Sequence, residues 1–145
     1  DELNVAFCDI DHFKRINDSH GHAAGDRVLK TVADTLSRIS DSRCHVARHG
    51  GEEFAVLFRG MSLQKAWERL ETAREEIAER RLINRATDMP FGRVTFSGGI
   101  ADVFAYAARS DALRAADEAL YAAKQAGRNQ IFIAGGIPPP LQDAA

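Results

Sequence analysis

Apolar and polar positions along this chain recur in two rhythms, and the switches between them divide it into elements. "LNVAFCDI" (3–10) is a short run of β-formers ending at an acid, which predicts a buried strand. Residues 11–20, "DHFKRINDSH", read as a short helix, and Gly21 and Gly25 punctuate the chain before a longer one over about 25–39. There Val28, Leu29, Val32, Ala33, Leu36 and Ile39 fall on one face at helical spacing. After the loop "DSR", residues 44–49 and 52–58 read as strands joined by Gly50-Gly51. A two-residue glycine turn between strands predicts a hairpin, because the primed turns need positive φ.

A helix over 62–82 follows, with Leu63, Ala66, Trp67, Leu70, Ala73 and Ile77 inward. "NRATDMPFG" reads as a polar loop, and "RVTFSGGIADV" (93–103) as a strand whose glycines let another backbone approach or let the strand bend. "DALRAADEALYAAKQA" (111–126) is a helix ended by Gly127, placed as a left-handed cap. "NQIFIA" is a last strand, and the proline-rich 135–145 reads as a flexible tail. This order of elements implies an α/β sandwich with a hairpin at its centre rather than a regular doubly wound sheet.

The chain has 145 residues, one domain's worth, with 45% hydrophobic and 28% charged residues. A net charge of −2 gives no global basic field for nucleic acid or a membrane surface, so an anionic ligand must be held by local chemistry. No apolar run is long enough to cross a bilayer, and nothing reads as a signal peptide. The chain starts at Asp1 without an initiator methionine, which reads as a piece of a longer protein. Cys8 and Cys44 are expected to be reduced thiols in a cytoplasmic protein.

The acids change the picture. "ARHGGEEFAVLF" (47–58) sets Glu52 and Glu53 side by side at the hairpin tip, and Asp9 closes the first strand, with Asp11 two residues on. If that strand lies beside the hairpin, Asp9, Glu52 and Glu53 converge at one sheet edge and need a cation. Hard oxygen ligands select Mg²⁺ or Mn²⁺ over zinc. One turn acid is as readily a solvated side chain; three together are not. A zinc site from His20, His22, His45, His49 and Cys44 fits no tetrahedral spacing.

Phosphate ligands come next. "DHFKRIN" opens a helix after a strand, where free amides face anions, and Lys14 sits within it. Lys124 and Arg128 lie four apart across a helix end and are placed to clamp a terminal phosphate, although the macrodipole alone favours bases there. Asn17 and Asp26 flank a glycine-rich bend and are able to read a base edge; Asp26 is equally a candidate helix cap.

"FCDIDHFKRINDSHGHAAGDRVL", "ARHGGEEFAVL", "VTFSGGIA" and "ADEALYAAKQAGRNQI" resemble, in order and spacing, the successive signatures of the GGDEF family, the diguanylate cyclases. The resemblance runs from about residue 3 to 134. It implies a central, mostly antiparallel five-stranded sheet flanked by helices, like the nucleotide cyclase and polymerase palm fold, in a domain over 1–134. It makes Asp9 and Glu52 the carboxylates that hold Mg²⁺ (or Mn²⁺), two ions per active site, with the Ile10 carbonyl. Glu53 becomes the group polarising an attacking 3′-hydroxyl. Asn17 and Asp26 match guanine ligands, and the amides near His12 and Phe13, with Lys14, match a phosphate cradle. Lys124 and Arg128 match cations on the outer phosphates, while Gly50 and Gly51 leave room for the nucleotide.

The implied reaction condenses two GTP into cyclic di-GMP across a homodimer, under an upstream regulatory domain, with no nucleic-acid partner and no membrane contact from this segment. A non-catalytic domain that binds GTP or cyclic di-GMP as a regulatory module is the alternative. Against use of ATP, the Asp26 carboxylate accepts from guanine N1–H and N2 but meets an acceptor at adenine N1. Three departures from the family stand out. The usual N-terminal helical segment is lacking. Asp41 and Cys44, in "DSRC", occupy the places of an inhibitory Arg-x-x-Asp product site, so no feedback is expected there. Gly98 stands where an aliphatic residue is usual, which predicts looser packing.

Overall fold

The computed structural model describes residues 2–39, 41–84, 89–90 and 92–135. Its elements are β1 (Leu3–Ile10), α1 (Phe13–His20), α2 (His22–Arg38), β2 (Cys44–Arg48), β3 (Glu53–Arg59) and α3 (Leu63–Glu79), followed by β4 (Ile83–Asn84), β5 (Met89–Pro90), β6 (Phe96–Asp102), α4 (Arg109–Gln125) and β7 (Ile131–Ile133). Five strands form one sheet in the order β2-β3-β1-β6-β7. Every pairing is antiparallel except β6 with β7, so the expected mostly antiparallel sheet is what forms.

The hairpin is not at the centre. β6 pairs with the free edge of β1, which makes β1 the middle strand and leaves β2-β3 as one flank. Within the stretch read as a polar loop, β4 and β5 form a small separate ladder. Residues 85–88 and 91 lie outside the described residues, as does the expected tail beyond Gly135.

The strands alternate, so each sheet face has its own core. One face packs Ala6, Cys8, Ile10, Phe54, Val56 and Phe58 against Val28, Val32 and Leu36 of α2 and Leu70 and Ile77 of α3. On the other face, Val5, Ala101 and Val103 meet Ala112 and Ala116 of α4. Cys8 and Cys44 are buried free thiols.

The paired glycines of β6 do different things. A Cβ on Gly99 would lie 2.2 Å from the Ala116 carbonyl oxygen and 2.3 Å from the Leu120 nitrogen, so α4 rests directly on the strand backbone there. This is the close approach expected of the glycines. Gly98 does not leave loose packing: Ile131 Cγ1 lies 3.2 Å from where its Cβ would be, and that buried side chain fills the place of the missing aliphatic.

Two boundaries shift with consequences. α2 begins at His22 rather than near 25, so Asp26 lies within the helix and is not its cap. The hairpin loop is wider than a two-residue turn. The His49 N–H donates to the Glu53 carbonyl at 2.6 Å, leaving Gly50, Gly51 and Glu52 as the loop, and only Gly50 of these has positive φ (108°). The Arg48 guanidinium donates to the Gly50 and Gly51 carbonyls at 2.6–3.1 Å, tying the wider loop down.

Candidate active site

The central strand ends where the hairpin loop turns. Asp9 stands opposite Glu53 on one side and Ser97 on the other, and the Ile10 N–H donates to the Glu52 carbonyl at 3.2 Å. The three acids therefore meet at one end of β1, as the sequence predicted. Lys124 reaches from α4 to Asp9 Oδ2 at 2.5 Å. The titration of the two glutamates reflects their burial and their acidic neighbour. Burial first, and then the Asp9 carboxylate, push both Glu52 and Glu53 above the usual carboxylate range, with Lys124 opposing. Asp117 raises Glu53 further, while His49 counters. Burial also pushes the Cys8 thiol up, helped by Asp9 and Glu53.

A cleft of about 220 Å³ opens at this corner. Asp9, Asp11 and Glu52 form its acidic side, with Ile10 between the two aspartates. His12, Phe13 and Lys14 bound it at the start of α1, where His12 takes a left-handed φ of 55° and turns the chain into the helix. Lys124 and Arg128 line it from the end of α4. That helix closes as a Schellman motif: the Gly127 N–H donates to the Lys124 carbonyl at 3.4 Å and the Arg128 N–H to the Ala123 carbonyl at 3.0 Å. Gly127 thus caps the helix as expected, with φ 120°.

The base-reading candidates lie beyond α1. A Cβ on Gly25 would fall 1.8 Å from Asn17 Oδ1, so the missing side chain is what lets Asn17 lie over α2, one residue from Asp26. Asp26 lines a larger cavity, about 490 Å³, between α2 and the hairpin, bounded also by Leu29, Val46, Arg48 and Phe54. No described atom lies within 4 Å of a Cβ placed on Gly50 or Gly51, so the loop top is open.

The donors at the acidic corner are all oxygens and suit a hard divalent cation. Among the described residues no group of three or more His, Cys, Asp or Glu side chains is arranged to hold a metal. A cation here would rest on the Asp9 and Glu52 carboxylates with a main-chain carbonyl.

The family model for "Diguanylate cyclase, GGDEF domain" matches residues 1–130. The chain belongs to the GGDEF family. It is 41% identical over 133 residues to the diguanylate cyclase DgcP of Pseudomonas aeruginosa, covering 92% of this chain and 19% of DgcP. To the diguanylate cyclase VdcA of Vibrio cholerae it is 32% identical, covering 90% of this chain and 39% of VdcA. It spans well under half the length of either. Its fold matches the GGDEF domain of DgcB from Caulobacter crescentus in complex with c-di-GMP, with a TM-score of 0.90, 37% identity, and coverage of 93% of this chain and 79% of that one. The active GGEEF domain of a Vibrio cholerae diguanylate cyclase matches with a TM-score of 0.83 and 29% identity, over 94% and 85% of the two chains.

Sequence reasoning about this GGDEF domain missed two residues of the site's frame. Arg48 read as part of a strand, yet it staples the hairpin loop. Asp11 read as one more acid beside Asp9, yet it is buried and fully engaged with Thr95, Ser97 and the Asn129 N–H. No linear spacing signals that set, because each of these partners lies more than 80 residues from Asp11.

Proposed function

We propose that this domain is a diguanylate cyclase: two copies, each holding one GTP, condense them into cyclic di-GMP and release two pyrophosphates. The observation that carries the reading is the meeting of Asp9 and Glu52 with Lys14, Lys124 and Arg128 around one cleft, with Glu53 beside Asp9. Names of the relatives agree: DgcP and VdcA are diguanylate cyclases, and the DgcB domain is in complex with c-di-GMP.

Each residue has a task in this reading. The start of α1 and Lys14 hold phosphate oxygens through free amides and an ammonium. Lys124 and Arg128 grip the outer phosphates, Lys124 sharing its charge between them and Asp9. Asp9, Glu52 and the Ile10 carbonyl would hold Mg²⁺ or Mn²⁺, two ions per site, whose chemistry is to offset triphosphate charge and acidify the 3′-hydroxyl. Glu53 takes up the proton of the incoming 3′-hydroxyl at its carboxylate. Burial and the Asp9 carboxylate raise its affinity for protons, which makes it a stronger base than an ordinary carboxylate. Asn17 and Asp26 select guanine over adenine by their hydrogen-bond pattern. Gly50 and Gly51 keep the loop top clear for the nucleotide.

A product with twofold symmetry suits a homodimer with opposed sites, one GTP each. An upstream regulatory domain that sets this pairing, a cytoplasmic location and the absence of a nucleic-acid partner complete the reading. Among the described residues no helix is long and apolar enough to cross a membrane. A separate product site at Asp41 and Cys44 is not expected. The Arg43 N–H and the Arg69 guanidinium hold the Asp41 carboxyl down at about 2, and Cys44 is buried.

The test is a forced dimer incubated with GTP and Mg²⁺, with products read by mass. Cyclic di-GMP should form, and the unforced domain should show a rate second-order in protein. A folded forced dimer that binds GTP without turnover would favour the regulatory-module alternative.

A further inference from the structure

Asp11 is an acid with no task in the chemistry above, and it is only 5% exposed. Its Oδ1 accepts from the Ser97 hydroxyl at 2.7 Å, and its Oδ2 from the Thr95 hydroxyl at 2.7 Å and the Asn129 main-chain N–H at 3.1 Å. The same N–H is shared with Ser97 Oγ at 3.1 Å. From the opposite side, Arg74 of α3 donates to Asn129 Oδ1 at 2.8 Å while gripping Glu71 with both arms, at 2.6 and 2.7 Å. All this converges on a strained piece of chain. Gly127, Arg128 and Asn129 are consecutive positive-φ residues, at 120°, 64° and 50°. Non-glycine residues hold such conformations in succession only where their surroundings fix them.

We propose that Asp11 is a positioning residue: its buried carboxylate anchors the left-handed turn Gly127–Asn129 to the ends of β1 and β6, and so fixes where Arg128 stands in the Asp9 cleft. Asp11 acts through Arg128. Asp9 and Asp11 then divide the work of one strand end, the first facing the ligand and the second holding the loop that brings a cation to it. The anchoring stands on geometry alone; only the identity of the ligand gripped by Arg128 rests on the nucleotide reading.

The chemistry selects the variants. Asp11→Ala removes both acceptors. Asp11→Asn is the conservative rescue, because its carbonyl oxygen takes over the bonds from Thr95 and Asn129 while its amide donates to Ser97 Oγ. Ser97→Ala is a milder cut that removes one donor to Asp11 and the second acceptor of the Asn129 N–H. GTP affinity is measured with Mg²⁺ by calorimetry, and exchange of the Asn129 amide by NMR.

Arg128→Ala should weaken GTP binding about 10- to 100-fold, the usual span for a lost charge-assisted contact. Asp11→Ala should weaken it comparably in the natural chain but less than about twofold when Arg128 is already alanine, as expected of residues acting through one group. The Asn129 amide should exchange faster by two orders of magnitude or more, and Asp11→Asn should restore most of both. Should Asp11→Ala not fold, Ser97→Ala should show the same non-additivity with a smaller amplitude. An equal loss in both backgrounds, or an Asn129 amide that stays protected, overturns the proposal. If the natural chain binds no GTP, the nucleotide reading fails, and exchange at Asn129 alone decides the anchoring.

Discussion

Replacing Gly99 by alanine tests whether α4 is seated where the site requires it. The new Cβ would start 2.2 Å from the Ala116 oxygen, 2.3 Å from the Leu120 nitrogen and 2.9 Å from the Ala119 carbonyl carbon. All three are helix backbone and cannot swing aside. Bringing the shortest of them from 2.2 Å to an ordinary 3.4 Å needs about 1.2 Å of movement between strand and helix. Overpacking of this kind costs about 1–3 kcal/mol, and a rigid backbone obstacle puts the expectation at the top, about 3 kcal/mol. For a domain of this size that is a fall in Tm of roughly 10 °C. The same movement draws Lys124, on α4, away from Asp9, where the contact is now 2.5 Å. Turnover should therefore drop more than tenfold in the molecules that remain folded, since misplacement by about 1 Å can cost 100-fold. Gly98→Ala is the internal control. It would meet side-chain atoms alone, Ile131 Cγ1 at 3.2 Å and Ile131 Cγ2 and Cys8 Sγ at 3.5 Å, which need give by only a few tenths of an ångström, and should cost about 1 kcal/mol, well below Gly99→Ala. Thermal unfolding of the two variants decides the matter. Equal stabilities for them, or a Gly99→Ala protein as stable as the natural chain, would refute the argument.

Two further outcomes follow from charge at the hairpin. Burial and Asp9 raise the Glu53 carboxyl above its ordinary 4.5, so the folded state binds that proton more tightly than the unfolded chain. Stability should fall as pH rises from about 4.5 through the raised value and then level off. Glu53→Gln should therefore be more stable than the natural chain at neutral pH, lose the advantage below about pH 4.5, and lose turnover at every pH. Denaturation curves with identical pH slopes for both proteins would sink this reasoning. Saturating Mg²⁺ should raise the Tm of the natural chain, by about 2.7 kcal/mol of stability at a hundredfold excess over Kd, and leave Asp9→Asn nearly unmoved. An equal rise in Asp9→Asn would mean that the ion binds elsewhere.

Much of this fold was legible because its signals are local. β1 from 3 to 10, the amphipathic faces of α2 and α3 and the glycine cap of α4 each follow from periodicity or from one residue's backbone preference. The acids at 9, 52 and 53 were legible as a candidate site because three carboxylates at two predicted strand ends demand an explanation. The errors were ones of context. The hairpin read as a two-residue turn because adjacent glycines favour one, whereas the Arg48 guanidinium stabilises a wider loop through carbonyls that spacing alone does not reveal. Gly98 read as a packing defect because the side chain that fills its place belongs to a strand more than 30 residues away.

By itself, the sequence determined the four helices, the five strands of the main sheet, the acid and base inventory and the family, since those depend on residue types at short spacing. Only the tertiary structure decided that β1 is the central strand, that Lys124 rests on Asp9, and that Asp11 holds the turn bearing Arg128. The physical reason is distance along the chain. Pairing between strands, and hydrogen bonds closed over more than 80 residues, are set by how whole faces bury together, and no window of neighbouring residues encodes them.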